Sequence, residues 1–362
     1  VGAGIIGCAL AYELARRGAS VDVVDDRPAG MGATQAAAGM LAPFNEARDG
    51  GPLLDLTARG LDTYDDFIAH VAADSGQPIA YQRAGTLDVA LSEQGFSELA
   101  ETHHALTARG IESHLLDAAQ VRSAEPLVAT QAIGGLFVPR HGAVSPVDLS
   151  RALVAAARRH GAQLLEQGRA RRISRSTSSL IVETDRGSLS GHRVIVAAGS
   201  WAGQIDIDGA ARVPVAPIRG QLLQVAASAP VPSRVLWSER CYVVPWSGSS
   251  LLVGATVEDV GFDERPTVEG VQSLLAAVTE LLPETRTAPF VEARVGLRPV
   301  TPDGLPIIGP SDVMPGLSYA TGHYRNGILL APLTAHLVAD ALLEGRVDPM
   351  LAMTSPSRFE RL

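Results

Sequence analysis

Three glycines, at positions 2, 4 and 7, and an aspartate at position 25 carry the first chemical signal in the chain. They lie in VGAGIIGCALAYELARRGASVDVVDD, residues 1–26. A strand stub runs into a helix that stops at Gly18, and a second strand over 20–24 ends in Asp25. This is the dinucleotide fingerprint in its proper context. Gly2 permits a tight turn, Gly4 lets the backbone approach a pyrophosphate, and Gly7 lets helix and strand pack closely. The helix amino terminus then faces the phosphates. Asp25 is placed to accept hydrogen bonds from ribose hydroxyls and to repel a 2′-phosphate. The fingerprint does not decide between NAD and FAD.

The remaining reactive side chains narrow the chemistry by what they exclude. All 30 basic residues are arginine. With no lysine, Schiff-base chemistry, pyridoxal-phosphate anchoring and a P-loop lysine are ruled out. Cys8 and Cys241 offer neither a disulfide framework nor metal-ligand spacing and read as structural thiols. His103 and His104 sit on a helical segment over 92–109 with no further ligand nearby in sequence, so no metal site is expected. A net charge of −9 and a pI near 5.5 argue against nucleic-acid partners and a polybasic membrane surface. No apolar run reads as a bilayer span, and the numbering begins inside a nucleotide-binding strand rather than a signal peptide, which gives a cytoplasmic expectation. That first strand is short, so strand residues before Val1 are expected to be missing from the numbering.

These groups need a scaffold, and 362 residues that are 46% hydrophobic suffice for two domains. Residues 27–43, RPAGMGATQAAAGMLAP, are small and uncharged after Arg27; such a run either lies flat against a planar ligand or packs in a core. Residues 53–73 read as one helix and 85–91 as a strand. Ser145, Pro146 and Asp148 read as N-cap, first helical position and completed capping box. Residues 194–198 form an apolar run expected of a buried parallel strand, broken by Gly199 where the chain meets a ligand. Residues 212–256 carry the short β-type runs of an antiparallel sheet, covered by a helix over 267–282. A last core strand over 319–321 leads through a turn to a helix over 328–343, in which Pro332 is tolerable only in the first turn.

At EARVGLRPVTPDGLPIIGP (292–310) and YATGHYRNGILLAP (319–332) the chain resembles the D-amino-acid oxidase family of FAD enzymes, and within it the glycine oxidase branch. The likeness covers nearly the whole chain and includes GATQAAAGMLAP, CYVVP and LLVGAT. It implies an α/β fold, with a Rossmann-like FAD-binding domain from 1–44, 145–204 and 299–362. An interleaved antiparallel-sheet substrate domain is implied from 45–144 and 205–298. It implies that Gly2, Gly4, Ile5, Ile6, Gly7, Asp25 and Asp26 hold pyrophosphate and adenosine ribose. Thr34, Ala38, Gly39 and Met40 line the flavin, and Ala170 offers backbone to the adenine. Ala198, Gly199 and Trp201 sit by the isoalloxazine and ribityl chain, and Arg325, Asn326, Gly327 and Ile328 cap the pyrimidine edge.

For the substrate, the resemblance implies Arg298 as carboxylate clamp and Tyr242 as its hydroxyl partner, with Arg325 nearby. Arginine grips a carboxylate in bidentate fashion and a tyrosine hydroxyl adds direction at an apolar wall. Read as residues alone, Arg298 could equally pair with an acid such as Asp303, and Tyr242 could be strand core. Val257 is expected in the apolar substrate wall. The implied reaction moves the α-hydrogen of glycine, sarcosine or D-alanine to flavin N5 as hydride. It yields an imine, then oxoacid and ammonia, with oxygen reduced to hydrogen peroxide. In the glycine oxidase branch the imine can feed thiamine synthesis. Relatives that link flavin covalently carry a cysteine where this chain has Gly296, so FAD is expected to be non-covalent. Two other readings stand: a dehydrogenase for D-amino acids or 2-hydroxy acids with a non-oxygen acceptor, and a non-enzymatic FAD-binding subunit. A homo-oligomer is compatible with the resemblance.

Overall fold

The computed structural model describes residues 1–46, 51–165, 168–226, 230–246 and 250–362. Asp22–Val24 pairs in parallel with Gln163–Leu165, and Val194–Val196 with Leu317–Thr321, which Ile307–Pro310 extends antiparallel. The stub at residues 1–3 joins the two groups. Gly2 N donates to Val24 O at 2.9 Å, and Ala197 N donates to Val1 O at 2.7 Å. A backbone with partners on both sides acts as the central strand even at this length.

The helix that follows, Ile5–Arg16, is buried on every side through Ala15. It packs between Pro146–Arg159 and Gly327–Ala339. Gly7 makes this possible: a Cβ there would lie 1.9 Å from the Gly2 carbonyl oxygen. Helix Gly327–Ala339 is also buried on nearly every side. With its continuation to Glu344 it is long and apolar enough to cross a membrane, with mean hydropathy 1.4 over 18 residues, contrary to the expectation of no such run. Sixty-one per cent of that window is buried within the protein, the pattern of a core helix.

Several local expectations need correcting. Residues 53–73 form two helices, Pro52–Asp62 and Tyr64–Ser75, separated at Thr63. Ser145 Oγ accepts from Asp148 N at 3.2 Å, but the Asp148 carboxylate accepts from Ala80 N at 3.4 Å. The Ser145 amide is already given to Ala80 O at 2.8 Å, so only half of the capping box forms. The last long helix starts at Gly327, which puts Pro332 in its second turn. The Ile328 carbonyl, left without its usual N–H donor by that proline, accepts from the Tyr64 hydroxyl at 2.5 Å.

The second layer is an eight-stranded, mostly antiparallel sheet. Its order is Phe290–Val300, Ala216–Ala226, Ser250–Gly254, Tyr242–Trp246, Val235–Trp237, Thr86–Ala90, Gly134–Val138 and His114–Asp117. It draws strands from two separate stretches of chain, joined by the parallel pair Val235–Trp237 with Thr86–Ala90. Helix Val268–Leu281 covers one face, burying Leu274, Ala277, Val278 and Leu281 against Leu223, Val243 and Val253.

Candidate active site

A cavity lies between the parallel layer and the large sheet. Of the site residues expected from sequence, all line it except Gly7, which sits behind the glycine turn, and Val257. The three glycines divide the work. Gly2 has φ of +104°, and a Cβ there would meet Ala197 O at 2.5 Å. A Cβ on Gly4 would meet nothing closer than Thr34 Oγ1 at 3.7 Å, so this position opens onto the cavity.

Helix Ile5–Arg16 brings its amino terminus to the cavity, where Thr34 Oγ1 accepts from Ile5 N at 3.0 Å. The Asp25 carboxylate braces the turn, its Oδ2 accepting from Ala3 N at 2.6 Å and its Oδ1 from Arg27 N at 2.9 Å. Burial pushes this carboxyl above the ordinary carboxylate range, against the pull of those two amides. Each oxygen keeps lone-pair capacity for a ribose hydroxyl.

The second long helix aims its amino terminus into the same cavity. Asn326 stands at its N-cap without a side-chain cap bond, and Asn326, Gly327 and Ile328 all line the space. The preceding turn is tightly held: Tyr324 adopts φ of +49° and donates its N–H to Pro299 O at 2.9 Å. Such a φ is uncommon outside glycine and clusters at functional sites. His323 is buried beside it, its Nε2 3.0 Å from Thr334 Oγ1, and burial lowers its pKa to about 3. Two helix amino termini therefore face one elongated space, each favouring negative charge.

Arg298 and Tyr242 approach from the large sheet, on strands separated by Ala216–Ala226 and Ser250–Gly254. Two glycines clear their seats. A Cβ on Gly220 would lie 2.3 Å from the Arg298 guanidinium carbon, and one on Gly254 would lie 2.3 Å from the Tyr242 hydroxyl oxygen. Both side chains thus lie over one sheet face, leaning across the strands between them. Arg298 Nη1 donates to Thr256 O at 2.9 Å and to Arg219 O at 3.4 Å. Among the described residues no carboxylate pairs with it; Asp303 is instead bonded to Arg358 at 2.6 Å. Arg325 is exposed at the cavity edge.

Val257 is 60% exposed and does not line the cavity, because strand Ser250–Gly254 ends before it. Sequence reasoning also passed over residues that do line it. Arg27 stacks on Trp201, and Ser200 donates its hydroxyl to Leu297 O at 2.8 Å. Gly296 abuts the small-residue run, where an added Cβ would come 2.9 Å from Ala36 Cβ. The run over 27–43 is thus small for packing as well as for the cavity. Cys8 and Cys241 are buried and outside the cavity lining, with thiols pushed up to about 12 and about 11.

A glycine turn, an acid-ended strand and two helix amino termini on one elongated cavity define a dinucleotide-dependent oxidoreductase with room beyond the pyrophosphate for a second ring system. The model of the DAO family, FAD dependent oxidoreductase, matches residues 1–341, and the chain belongs to that family. Glycine oxidase of Geobacillus kaustophilus is 34% identical over 342 residues, covering 94% of this chain and 91% of the relative. The bifunctional protein ThiO/ThiG of a Nostoc species is 34% identical over 375 residues, covering all of this chain and 55% of that longer protein. The crystal structure of the Geobacillus kaustophilus glycine oxidase superposes with a TM-score of 0.94 and 34% identity, over 99% of this chain and 97% of the other. FAD is accordingly the cofactor, and the cavity suits it: Gly4 leaves backbone open to the cavity, where a pyrophosphate would find N–H groups, and the second helix amino terminus would favour negative charge on a bound group.

Proposed function

We propose that this enzyme oxidises glycine or another small amino acid, such as sarcosine or D-alanine, to an imine that hydrolyses to oxoacid and ammonia, or methylamine from sarcosine, with oxygen reduced to hydrogen peroxide. The observation that carries the reading is Arg298, a guanidinium in the cavity, seated over Gly220, whose partners among the described residues are backbone carbonyls and no carboxylate. A cation so placed suits a carboxylate ligand. The relatives named glycine oxidase support the substrate class.

FAD, when bound non-covalently, supplies the acceptor for the hydride that leaves the α-carbon and passes the electrons on to oxygen. The chain's part is placement. Arg298 holds the carboxylate, the Tyr242 hydroxyl fixes its orientation, and Arg325 at the edge adds positive charge along the entry. Holding the α-carbon in one pose converts the encounter into an effectively unimolecular event. The amino terminus at Asn326, Gly327 and Ile328 favours the negative charge that develops at the ring edge. Asp25 and Asp26 take the adenosine ribose, Ala170 the adenine edge, and Ala198, Gly199, Thr34 and residues 38–40 the middle of the cofactor. On this reading 1–44, 145–204 and 299–362 bind cofactor, and 45–144 and 205–298 bind substrate.

The test is a peroxide assay across glycine, sarcosine and D-alanine, run beside a dye acceptor with oxygen removed. Peroxide formed one-to-one with ammonia from glycine supports the reading. Turnover with dye alone would assign the chain to the dehydrogenases.

A further inference from the structure

Arg27 and Trp201 follow strands Asp22–Val24 and Val194–Val196, which flank the central stub on opposite sides. Both side chains line the cavity, and they meet, with the guanidinium carbon 4.5 Å from the indole centroid. Their contact therefore bridges the two sides of the glycine turn. Each is held from beyond by one segment, residues 256–265, which leaves the large sheet after Ser250–Gly254. Arg27 Nη1 and Nη2 donate to Glu264 Oε1 and Oε2 at 2.8 and 2.7 Å, a fork-to-fork pair. Phe262 lies against Trp201 with ring centroids 5.9 Å apart.

The backbone of the segment is tied down at both ends, Arg219 Nη1 also donating to Arg265 O at 3.1 Å. The buried Arg219 guanidinium pairs with Glu258 and with Asp263, and Glu258 also accepts from Gln221 Nε2 at 2.7 Å and Thr256 Oγ1 at 2.5 Å. The side chains that reach the cavity residues are not buried: Glu264 and Arg27 are about one-third exposed, and Phe262 is 38% exposed. An aromatic side chain kept at the surface against a cavity residue contributes little to the core and much to the rim.

We propose that residues 256–265 form a clasp, with Glu264 and Phe262 as positioning residues that hold Arg27 and Trp201 together across the cofactor cavity and set the rate at which FAD leaves. The cofactor must pass this bridge, so opening it requires breaking a bidentate ion pair and an aromatic contact at once. The clasp acts on the cofactor and is independent of which amino acid is the substrate.

The experiment follows free FAD in ultrafiltrates of diluted holoenzyme over time, for wild type, Glu264→Gln, Phe262→Ala and Glu264→Asp. Loss of a charged pair about one-third exposed, or of a cation–π support, is expected to speed release roughly three- to ten-fold in the first two. Glu264→Asp, which keeps the charge, should stay nearer the wild-type rate. The melting temperature of the FAD-free variants should remain within about 2 °C of wild type, because these side chains lie outside the core. Release within two-fold of wild type in both Glu264→Gln and Phe262→Ala would overturn the clasp. So would faster release matched by a drop of more than about 5 °C in the FAD-free protein, which marks a general structural role.

Discussion

The Tyr64 hydroxyl donates to the Ile328 carbonyl across 264 positions of sequence, replacing the helical donor that Pro332 lacks. Tyr64 is fully buried, and burial pushes its phenol well above the ordinary range, so it stays a donor at any working pH. Tyr64→Phe leaves that carbonyl unsatisfied in the core. The expected cost is about 1–3 kcal/mol, read as a lower urea midpoint with an unchanged slope. A midpoint equal to wild type would mean that the helix relaxes to find another donor.

Gly220 and Gly254 matter because of what lies over them. Gly220→Ala puts a methyl 2.3 Å from the Arg298 guanidinium, and Arg298→Ala removes the cation altogether. Both variants should raise KM for the amino acid, Arg298→Ala by roughly two orders of magnitude for a lost charge-assisted clamp, while FAD stays bound. Steady-state kinetics with the flavin absorbance recorded on the same samples checks this. Unchanged KM in Arg298→Ala would remove it from the substrate site.

Gly4 and Gly7 should fail differently when changed to alanine. The Gly7 methyl would sit 1.9 Å from Gly2 O and force helix and strand apart, so Gly7→Ala should lower the melting temperature of the FAD-free protein. The Gly4 methyl meets only open cavity and Thr34, so Gly4→Ala should fold normally, and with the pyrophosphate against Gly4 as proposed it should lose FAD affinity by at least about ten-fold. Equal melting losses in the two variants would contradict this division of labour.

Acid stability is set first by two buried histidines. His141 and His323 have pKa values lowered by burial to about 3, far below the unfolded value near 6.5. His141 Nδ1 lies 2.8 Å from Thr86 Oγ1, and its Nε2 accepts from Phe44 N, an arrangement that only the neutral ring allows. The unfolded chain binds these protons first, so their stability contribution is complete above pH about 6.5 and falls as pH drops toward 3. The slope is roughly 1.4 kcal/mol per pH unit for each ring. Denaturation between pH 7 and 5 should show this loss, and His141→Gln should flatten it. A pH-independent midpoint over that range would show the rings ionised when folded.

The glycine-turn end was legible because its signals are local: Gly2, Gly4, Gly7 and Asp25 lie within one strand–helix–strand unit, where Gly2 makes the turn, Gly7 allows close packing, and Gly4 and Asp25 line the cavity. Tyr324, the residue before the expected Arg325, was passed over because a positive φ on tyrosine has no compositional mark. Val257 was misplaced for the opposite reason. A hydrophobic residue after a strand looks like wall, but only the point where the strand ends decides whether it faces cavity or water.

The sequence by itself determined the nucleotide turn, the absence of lysine chemistry, and two motifs some three hundred residues apart. Their residue types and periodicities are properties of neighbouring positions. Tertiary structure alone decided that Gly220 and Gly254 are the seats of Arg298 and Tyr242, that Glu264 reaches Arg27, and that Tyr64 supplies the bond Pro332 removes. Each of these depends on strand register or on the packing of distant segments, where a shift of one residue turns a side chain to the other face.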